Sequence, residues 1–323
     1  MPRLHVCLNA LRENLETVSR ACQKAGCACM FVLKEAPLHP KLTEAVLQDS
    51  EIRSVGTVAW PELPLPVLPG RELVHLCSPS AEQLPLAAAC RRVFVSSITA
   101  LRSLSAFPAA RAILCLEAGD GRDGVPEAEL PELLEQAHAC AVPVDALSVN
   151  FACMSSKAPT AAALEHAAVL VRRLLPHTPR LSAGGSDILE LAEHTSLPCE
   201  VAEIRCGTGV MLGVYPLSGR PVPGCRQDTF QLESRVLECR VKQGCRLALF
   251  DMGEYHTAPH LLTPPFPGMA FRASSSAYTS FDVTGCPESL KEGQALRFGL
   301  EYRSLSRALS SRALPLTMTD GTP

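Results

Sequence analysis

The feature that most constrains the fold is a regular alternation of short apolar segments with helical segments over the first 206 residues. Helical spacing is clear in 160–175, where Leu164, Ala168 and Val171 lie on one face before Pro176 ends the pattern. Continuous apolar strands between helices indicate an all-parallel sheet that is buried on both faces. Eight such strands predict an α/β fold, a TIM-type (β/α)8 barrel rather than an open doubly wound sheet. The predicted strands are 29–34, 54–58, 72–77, 92–96, 111–117, 145–150, 179–183 and 202–206.

The pattern changes after residue 213. The segment 213–224 is half glycine and proline, which is typical of a connector. The β-type runs that follow, without long helices between them, predict a smaller C-terminal all-β domain. We place the barrel domain at 1–226 and the β-domain at 227–323. The predicted β-type runs are 228–241, 246–250, 278–284 and 296–302.

The charge balance excludes several classes of partner. There are 30 basic and 33 acidic side chains, and a general nucleic-acid or anionic-membrane binder would show a basic excess. The first residues lack the apolar core of a signal peptide, and no apolar run approaches the roughly 18 residues of a membrane span. We therefore expect a cytoplasmic protein that binds neither nucleic acid nor membranes.

The fifteen cysteines are scattered, and the sequence contains no C-x-x-C pair. Cys27 and Cys29 form the only close pair, whereas zinc sites need paired thiolates or a Cys/His cluster. His256 and His260 are four residues apart, but Pro259 argues against a helical ligand pair. The sequence predicts free thiols in a reducing compartment and no metal ion.

The ends of the predicted barrel strands carry the residues suited to chemistry. Lys34, one of only six lysines, ends the first strand, and small-residue turns follow the seventh and eighth strands at 182–186 and 205–209. Active sites of parallel barrels lie at these carboxyl ends, and glycine-rich turns offer backbone amides to a phosphate. A desolvated lysine amine forms Schiff bases. A lysine, a phosphate-binding turn and an arginine together indicate a site for pyridoxal 5'-phosphate.

An ordered set of short motifs extends this interpretation. The chain resembles the fold-type III enzymes that depend on pyridoxal phosphate, the alanine racemase fold, and is closest to the ornithine-racemase-like branch. The similarity covers nearly the whole chain in the same order. It is carried by 31–34 (FVLK), 119–125 (GDGRDGV), 149–153 (VNFAC), 182–186 (SAGGS), 204–213 (IRCGTGVMLG), 221–230 (PVPGCRQDTF), 281–284 (FDVT) and 300–307 (LEYRSLSR).

The resemblance implies a role for each matched position. Lys34 would be the Schiff-base lysine and one acid/base, and Arg205 would face the pyridine nitrogen of the cofactor. Arg122 would approach the ring hydroxyl or the substrate carboxylate, and Asn150 would lie at the ring. The resemblance also implies that residues 1–9 pair with the β-domain, and that a homodimer builds each site from both chains. The phosphate would be held by Ser186, Gly207, Thr208 and Tyr302.

The sequence departs from this family where the second acid/base is expected. The stretch 241–246 is very short and contains no tyrosine, although the family carries its opposite-face acid/base in a segment inserted there. Alanine stands at position 277, where the family often has aspartate. Racemisation needs a base on each face of the substrate carbanion. The replacements that the sequence offers are Tyr255, Tyr278, His256 and Cys153.

Three functions remain open at this level. The first is an amino-acid racemase or epimerase that acts on a small-molecule amino acid and uses Lys34 with Tyr278 or Tyr255. The second is a protein that binds pyridoxal phosphate with weak or no turnover, in cofactor handling or regulation. The third is a decarboxylase or lyase, which needs only one well-placed base.

Overall fold

A computed structural model describes residues 1–58, 62–242, 244–287 and 289–321. The chain divides into two compact units. The larger unit is Arg12–Cys225, and the smaller unit combines Met1–Leu11 with Arg226–Pro323. In the described part of the chain, no helix has the length and hydrophobicity needed to cross a membrane.

The larger unit is a closed barrel of eight parallel strands. The chain begins with strand β1 (Arg3–Cys7) and helix α1 (Leu8–Lys24), and the barrel strands follow in sequence order, with the last pairing to the first. The predicted TIM-type barrel is confirmed. The barrel strands are β2 (Ala28–Val32), β3 (Ser54–Thr57), β4 (Glu72–His75), β5 (Arg92–Val95), β6 (Arg111–Glu117), β7 (Val144–Asn150), β8 (Leu181–Gly184) and β9 (Val201–Cys206). The helices between and after them are α2 (Pro40–Leu47), α3 (Leu84–Ala89), α4 (Ile98–Leu104), α5 (Leu130–Ala139), α6 (Ala161–Leu174), α7 (Asp187–Ala192) and α8 (Thr208–Met211).

The barrel interior is filled by side chains from alternate strand positions. Met30 on β2 packs with Val74, Phe94, Ile113 and Ala146 from four other strands. Because successive side chains of a strand point to opposite faces, the neighbours of Met30 point outward to the helical layer. The closely packed interior leaves the ends of the barrel as the places where polar groups can meet.

A buried ion network occupies the amino-terminal end of the barrel. Arg92, at the start of β5, donates two hydrogen bonds to the carboxylate of Glu203, at 3.1 and 3.0 Å. The same guanidinium lies 3.4 Å from the carboxylate of Asp145 and 2.7 Å from that of Glu72. Burial lowers the pKa of Arg92, but these carboxylates raise it above its ordinary value overall. The network therefore joins β9 to the starts of β4, β5 and β7.

We expect Arg92→Met to destabilise the barrel by about 3–5 kcal/mol, because it leaves buried carboxylates without a counter-charge. The measurement is the free energy of unfolding in urea. Arg173→Met is the matched control, because the ion pair of Arg173 with Glu127 is exposed and contributes about 1 kcal/mol at most. Equal effects of the two substitutions would contradict the assignment.

The smaller unit is a mainly antiparallel β-domain. Its aromatic core contains Phe250, Phe281 and Phe298, whose rings lie 5.2–5.6 Å apart. Strand β1 pairs with two strands of this unit, antiparallel to one and parallel to the other. Its remaining elements are β10 (Phe230–Lys242), β11 (Cys245–Phe250), β12 (Leu262–Thr263), β13 (Ala270–Ser274), β14 (Thr279–Asp282), β15 (Ala295–Leu300), helix α9 (Tyr302–Ser310) and β16 (Leu316–Thr319). The sheet order is β12-β15-β10-β11-β14-β13, with β1 joining β10 to β16.

The β-domain differs from the prediction at its end. The predicted β-type run 296–302 stops at Leu300, and the chain turns into α9 at Tyr302. Leu305, Ala308 and Leu309 are buried at helical spacing on one face of α9. The short stretch that the sequence places between Val241 and Arg246 is the turn from β10 to β11, and Gln243 in it lies outside the described residues.

Candidate functional site

The predicted site residues of the barrel unit lie at the carboxyl ends of its strands. Lys34 stands two residues beyond β2, Asn150 is the last residue of β7, and Arg205 is next to last in β9. The carboxyl ends of parallel strands meet at the same end of a closed barrel. The other predicted residues follow strand ends as well: Arg122 after β6, Ser186 after β8, and Gly207 with Thr208 after β9.

The Arg205 side chain is buried at the end of the barrel. Its guanidinium donates hydrogen bonds to the backbone carbonyls of Ser182 at 2.6 Å and Val149 at 2.9 Å. It also donates to the hydroxyls of Ser148 and Ser182, each at 3.0 Å, and lies 5.0 Å from the ring centre of Phe94. Burial lowers the pKa of Arg205. Four hydrogen bonds to neutral oxygens fix the position of this guanidinium.

Gly184, the last residue of β8, lets Arg205 and Asn150 approach each other. A Cβ atom at Gly184 would collide with Nη2 of Arg205 and with Oδ1 of Asn150. Because Gly184 has no side chain, the Arg205 guanidinium and the Asn150 amide can both lie close to β8 at this position.

Asp120 holds Asn150 and the segment that follows it. Its carboxylate accepts hydrogen bonds from Nδ2 of Asn150 at 2.5 Å and from the backbone amides of Met154 and Ser155 at 2.8 and 3.3 Å. Burial raises the pKa of Asp120, but these hydrogen bonds and the charge of Arg122 together lower it below the ordinary value. Asp120 thus orients a predicted site residue and fixes the turn after β7.

We expect Asp120→Asn to reduce the free energy of unfolding by about 1.5–3 kcal/mol at neutral pH, because hydrogen bonds to a charged acceptor are lost. A lowered pKa in the folded state gives stability above the unfolded pKa of about 3.9, and this stability is lost as pH falls through the folded pKa. Urea unfolding of both proteins from pH 8 to pH 3 should show a constant difference that shrinks only below about pH 3.9.

The control for that substitution is Asp123→Asn in the same turn. Asp123 accepts a 2.8 Å hydrogen bond from Nε of Arg122, whereas the amides of the segment after β7 donate their hydrogen bonds to Asp120. A smaller effect is therefore expected at position 123. A difference between wild type and Asp120→Asn that grows as the solution becomes acidic would contradict the assignment.

The turns after β8 and β9 are joined to each other. The amide of Gly209 donates a 3.0 Å hydrogen bond to Oγ of Ser186, which is fully buried. Gly185 has a φ of +97°, a conformation that glycine adopts without strain. A Cβ atom at Gly209 would lie 3.0 Å from Oγ of Ser186. The two glycine-containing turns therefore form one compact surface of backbone at the end of the barrel.

Lys34 lies among groups that carry charge or titrate. The side chain is half-buried, and its backbone carbonyl accepts a 3.2 Å hydrogen bond from Thr57. Burial raises the pKa of the Cys77 thiol, and the positive charges of Arg122 and Lys34 partly oppose that shift. Lys34 and Arg122 therefore both act on the thiol that follows β4.

The three tyrosines predicted for the site belong to the smaller unit. Tyr302 is the first residue of α9 and is half-buried. Tyr255 and Tyr278 are 67% and 50% exposed, on neighbouring segments. These segments are joined by a 2.9 Å hydrogen bond from the amide of Tyr255 to the carbonyl of Ser276. The structure therefore brings two exposed phenols to one region of the β-domain.

Asp120 and Cys77 are not among the site residues that the sequence predicts. Asp120 stands between two glycines in the GDGRDG turn, which was a visible signal for a fixed carboxylate. Cys77 gave no signal, because an isolated cysteine after a strand is usually a small apolar residue. Its neighbour His75 is fully buried, with Nε2 3.4 Å from the Cys77 sulfur, and burial lowers the pKa of His75 to about 4.

Comparison with known sequences identifies the family. The alanine racemase N-terminal domain matches residues 6–216, which is more than half of the chain. The chain belongs to this family. It is similar to an ornithine racemase from Acetoanaerobium sticklandii, with 21% identity over an alignment of 356 residues that covers 96% of this chain and 97% of that protein. It is also similar to a lysine racemase from Thermotoga maritima, with 23% identity over 62% of this chain and 63% of that protein.

Solved structures of the alanine racemase fold match both units. One is alanine racemase from Bartonella henselae, determined with covalently bound pyridoxal phosphate. Its TM-score is 0.71 at 15% identity, and the match covers 98% of this chain and 99% of that one. D-threo-3-hydroxyaspartate dehydratase from Delftia sp. HT23 has a TM-score of 0.70 at 16% identity, and the match covers 100% of this chain and 95% of that one. At these identities the likeness establishes the fold, and the fold supports more than one reaction.

Proposed function

We propose that this chain is an amino-acid racemase or epimerase that depends on pyridoxal 5'-phosphate and uses Lys34 as its Schiff-base lysine and acid/base. The observation that carries the proposal is the grouping of Lys34, Arg205 and two glycine turns at one end of a barrel within the family's matched region. The relatives named ornithine racemase and lysine racemase support the reaction class.

The residues at this end of the barrel suit the cofactor. The turns around Gly185 and Gly207 offer backbone amides and the Ser186 hydroxyl, which are the donors that phosphate takes. Gly184 lacks the Cβ that would displace Arg205 and Asn150. Lys34 supplies an amine, and Arg205 supplies a fixed guanidinium. Ser186, Gly207, Thr208 and Tyr302 would hold the phosphate, and Asn150 and Arg205 would lie at the ring. Arg122 would approach the ring hydroxyl or the substrate carboxylate.

Each side chain of the candidate site would have a separate role in the reaction. The chemistry that pyridoxal phosphate supplies when bound is withdrawal of electrons from the α-carbon, which makes the α-proton acidic. Nζ of Lys34 would hold the cofactor and would move the α-proton on its own face. Arg205 would face the pyridine nitrogen and would not protonate it, because a guanidinium keeps its proton. Asp120 keeps the Asn150 amide oriented through its 2.5 Å hydrogen bond.

The second acid/base is assigned to Tyr278 or Tyr255. Both phenols are exposed and lie on neighbouring segments of the β-domain, so each is available to a substrate. A phenol moves a proton when a carbanion forms on its side of the substrate. If neither acts, Lys34 returns the proton to one face only. The α-proton then exchanges with solvent much faster than the configuration inverts.

The test is incubation with L-amino acids, including ornithine and lysine, in D2O. Exchange of the α-proton is followed by NMR and inversion by chiral chromatography. Comparable rates in both directions, with inversion abolished by Tyr278→Phe or Tyr255→Phe, support the racemase with that tyrosine as second base. Exchange that exceeds inversion by at least about a hundredfold supports Lys34 as sole base, since a lost acid or base costs about 10²–10⁴-fold.

The same experiment separates the alternatives. Loss of the carboxylate or of a side-chain group would establish a decarboxylase or lyase, and the dehydratase of this fold makes that comparison specific. Binding of the cofactor with neither exchange nor inversion of any amino acid would establish a protein for cofactor handling or regulation. Either result would contradict the racemase.

We also propose a cytoplasmic homodimer. Fifteen free thiols, with no disulfide among them, suit a reducing compartment. The β-domain exposes Leu237, Val241 and Phe271, large apolar side chains that a second chain could cover. Sedimentation should give twice the chain mass of 34.6 kDa at micromolar concentration. A single-chain mass would contradict a site shared between two chains.

A further inference from the structure

Three buried cysteines meet beside the barrel, two of them seven residues apart and the third more than 170 residues later. Cys22 lies on α1, Cys29 on β2, and Cys206 ends β9. Their sulfur atoms all lie within 4.8 Å of one another, and the sulfurs of Cys22 and Cys206 are 4.0 Å apart. All three side chains are buried. In the described residues, no other group of three or more histidine, cysteine or acidic side chains reaches this proximity.

The position of these sulfurs follows from the alternation of the strands. Met30 and Arg205 point into the barrel, so Cys29 and Cys206 point outward, toward the helical layer. Cys22 lies on the buried face of α1. The three thiols, which we call the Cys22–Cys29–Cys206 cluster, therefore belong to the contact between α1 and strands β2 and β9. Packing of small apolar groups by itself does not require sulfur to face sulfur.

The dimensions of the cluster match a trigonal metal centre. A metal ion bound to three coplanar sulfurs at about 2.3 Å separates those sulfurs by about 4.0 Å. We propose that the Cys22–Cys29–Cys206 cluster binds one Cu(I) ion through its three sulfurs. Soft thiolate ligands select Cu(I) among the first-row metals. A structural zinc site needs a fourth ligand, and the described residues offer three within 4.8 Å.

A fourth thiol, that of Cys27, lies beside Cys22 and interacts with both its backbone carbonyl and its thiol. The Cys27 thiol donates a 3.3 Å hydrogen bond to the backbone carbonyl of Cys22 and lies outside the cluster.

Binding is a ligand exchange without a change of oxidation state. Each S–Cu bond that forms at a thiol replaces an S–H bond, and the displaced proton leaves to solvent. Affinity for Cu(I) therefore rises with pH. Because Gly207 directly follows β9 and Lys34 stands two residues beyond β2, a bound ion would tie α1 to the two strands that lead to these residues.

The test uses the full chain under anaerobic conditions with Cu(I) and a chromogenic Cu(I) chelator as competitor. We expect one Cu(I) per chain to be withheld from the chelator, more tightly at pH 8 than at pH 6. X-ray absorption should show three sulfur neighbours at about 2.3 Å. Both measurements use the wild-type protein and so do not depend on the folding of any variant.

Substitutions assign the site. Cys29→Ser and Cys22→Ser should weaken the affinity by at least about a hundredfold, since loss of a supporting residue outside the ligand set already costs 10–100-fold. Cys90→Ser is the matched control, a fully buried thiol at the end of α3, and should leave the affinity unchanged. Far-UV circular dichroism confirms that each variant is folded.

Three results would overturn the proposal. Wild-type protein that withholds no Cu(I) from the chelator would do so, as would retention that is equal in all the cysteine variants. Tighter retention of Zn(II) than of Cu(I) would show that a fourth ligand completes a different site. None of these outcomes bears on the proposed racemase, because the Cys22–Cys29–Cys206 cluster lies outside the candidate cofactor residues.

Discussion

Lys34→Met is expected to abolish racemisation, with a loss of at least about 10⁴-fold in kcat. The substitution removes the amine that holds the cofactor and also one acid/base, and the acid/base alone contributes about 10²–10⁴-fold. Methionine keeps an unbranched side chain of similar length, so the barrel should remain folded. The measurement is turnover of the amino acid that the exchange experiment identifies, together with the visible absorbance of the lysine–cofactor linkage.

Lys41→Met is the matched control for this variant. Lys41 is an exposed lysine on α2, outside the candidate site, and its loss should change neither turnover nor absorbance. Turnover by Lys34→Met within tenfold of the wild-type rate would show that another amine does the chemistry. Lys157 is an exposed lysine beside the turn that follows β6. Its Nζ lies 3.0 Å from the position that a Cβ would take on Gly119.

Gly184→Ala should damage the same site without touching a reactive group. The added methyl would displace Nη2 of Arg205 and Oδ1 of Asn150 together. A displacement of about 1 Å in a positioned group costs about a hundredfold in rate, so we expect kcat/KM to fall by at least that factor. Cofactor affinity, measured by spectral titration, should fall as well. The cost in unfolding free energy should be only about 1–3 kcal/mol.

The control for Gly184→Ala is the same substitution at Gly56 on β3. There the methyl would meet the side chain of Leu76 at 2.9 Å, an apolar group that can move. Its cost in stability should be similar, and its effect on kcat/KM should be small. If Gly184→Ala retained wild-type cofactor affinity, Arg205 and Asn150 would not be positioned by β8 in the way described.

The barrel was predictable because its signal is local. The barrel strands are short runs of mostly buried residues, and helices separate them except between β3 and β4, where the described residues form none. The predicted strands overlap the observed ones throughout. The local sequence pattern did not predict β1 or β13, although the family resemblance implies that residues 1–9 pair with the β-domain. Strand β1 pairs with β10, more than 200 residues away, and β13 is mostly exposed, so it shows no alternation of buried and exposed positions. Long-range pairing leaves little trace in a local pattern.

The candidate site was predictable to the same degree. Lys34 and the glycine turns stand at strand ends, and their position directly after an apolar run makes them recognisable in the sequence. The role of Asp120 depends on amides that lie more than 30 residues later, and no spacing rule reports such a contact. The Cys22–Cys29–Cys206 cluster could not be predicted from spacing either. Its thiols meet only because α1 packs on two strands, and no sequence motif contains all three.

The most direct test of the proposed function is the identity of the lysine that holds the cofactor. Purified protein loaded with pyridoxal phosphate is reduced with borohydride and digested, and its peptides are identified by mass spectrometry. We expect a pyridoxyl group on Lys34 that is lost in Lys34→Met. Recovery of the label on Lys157 or Lys41 in the wild-type protein, or no stable label at all, would contradict it.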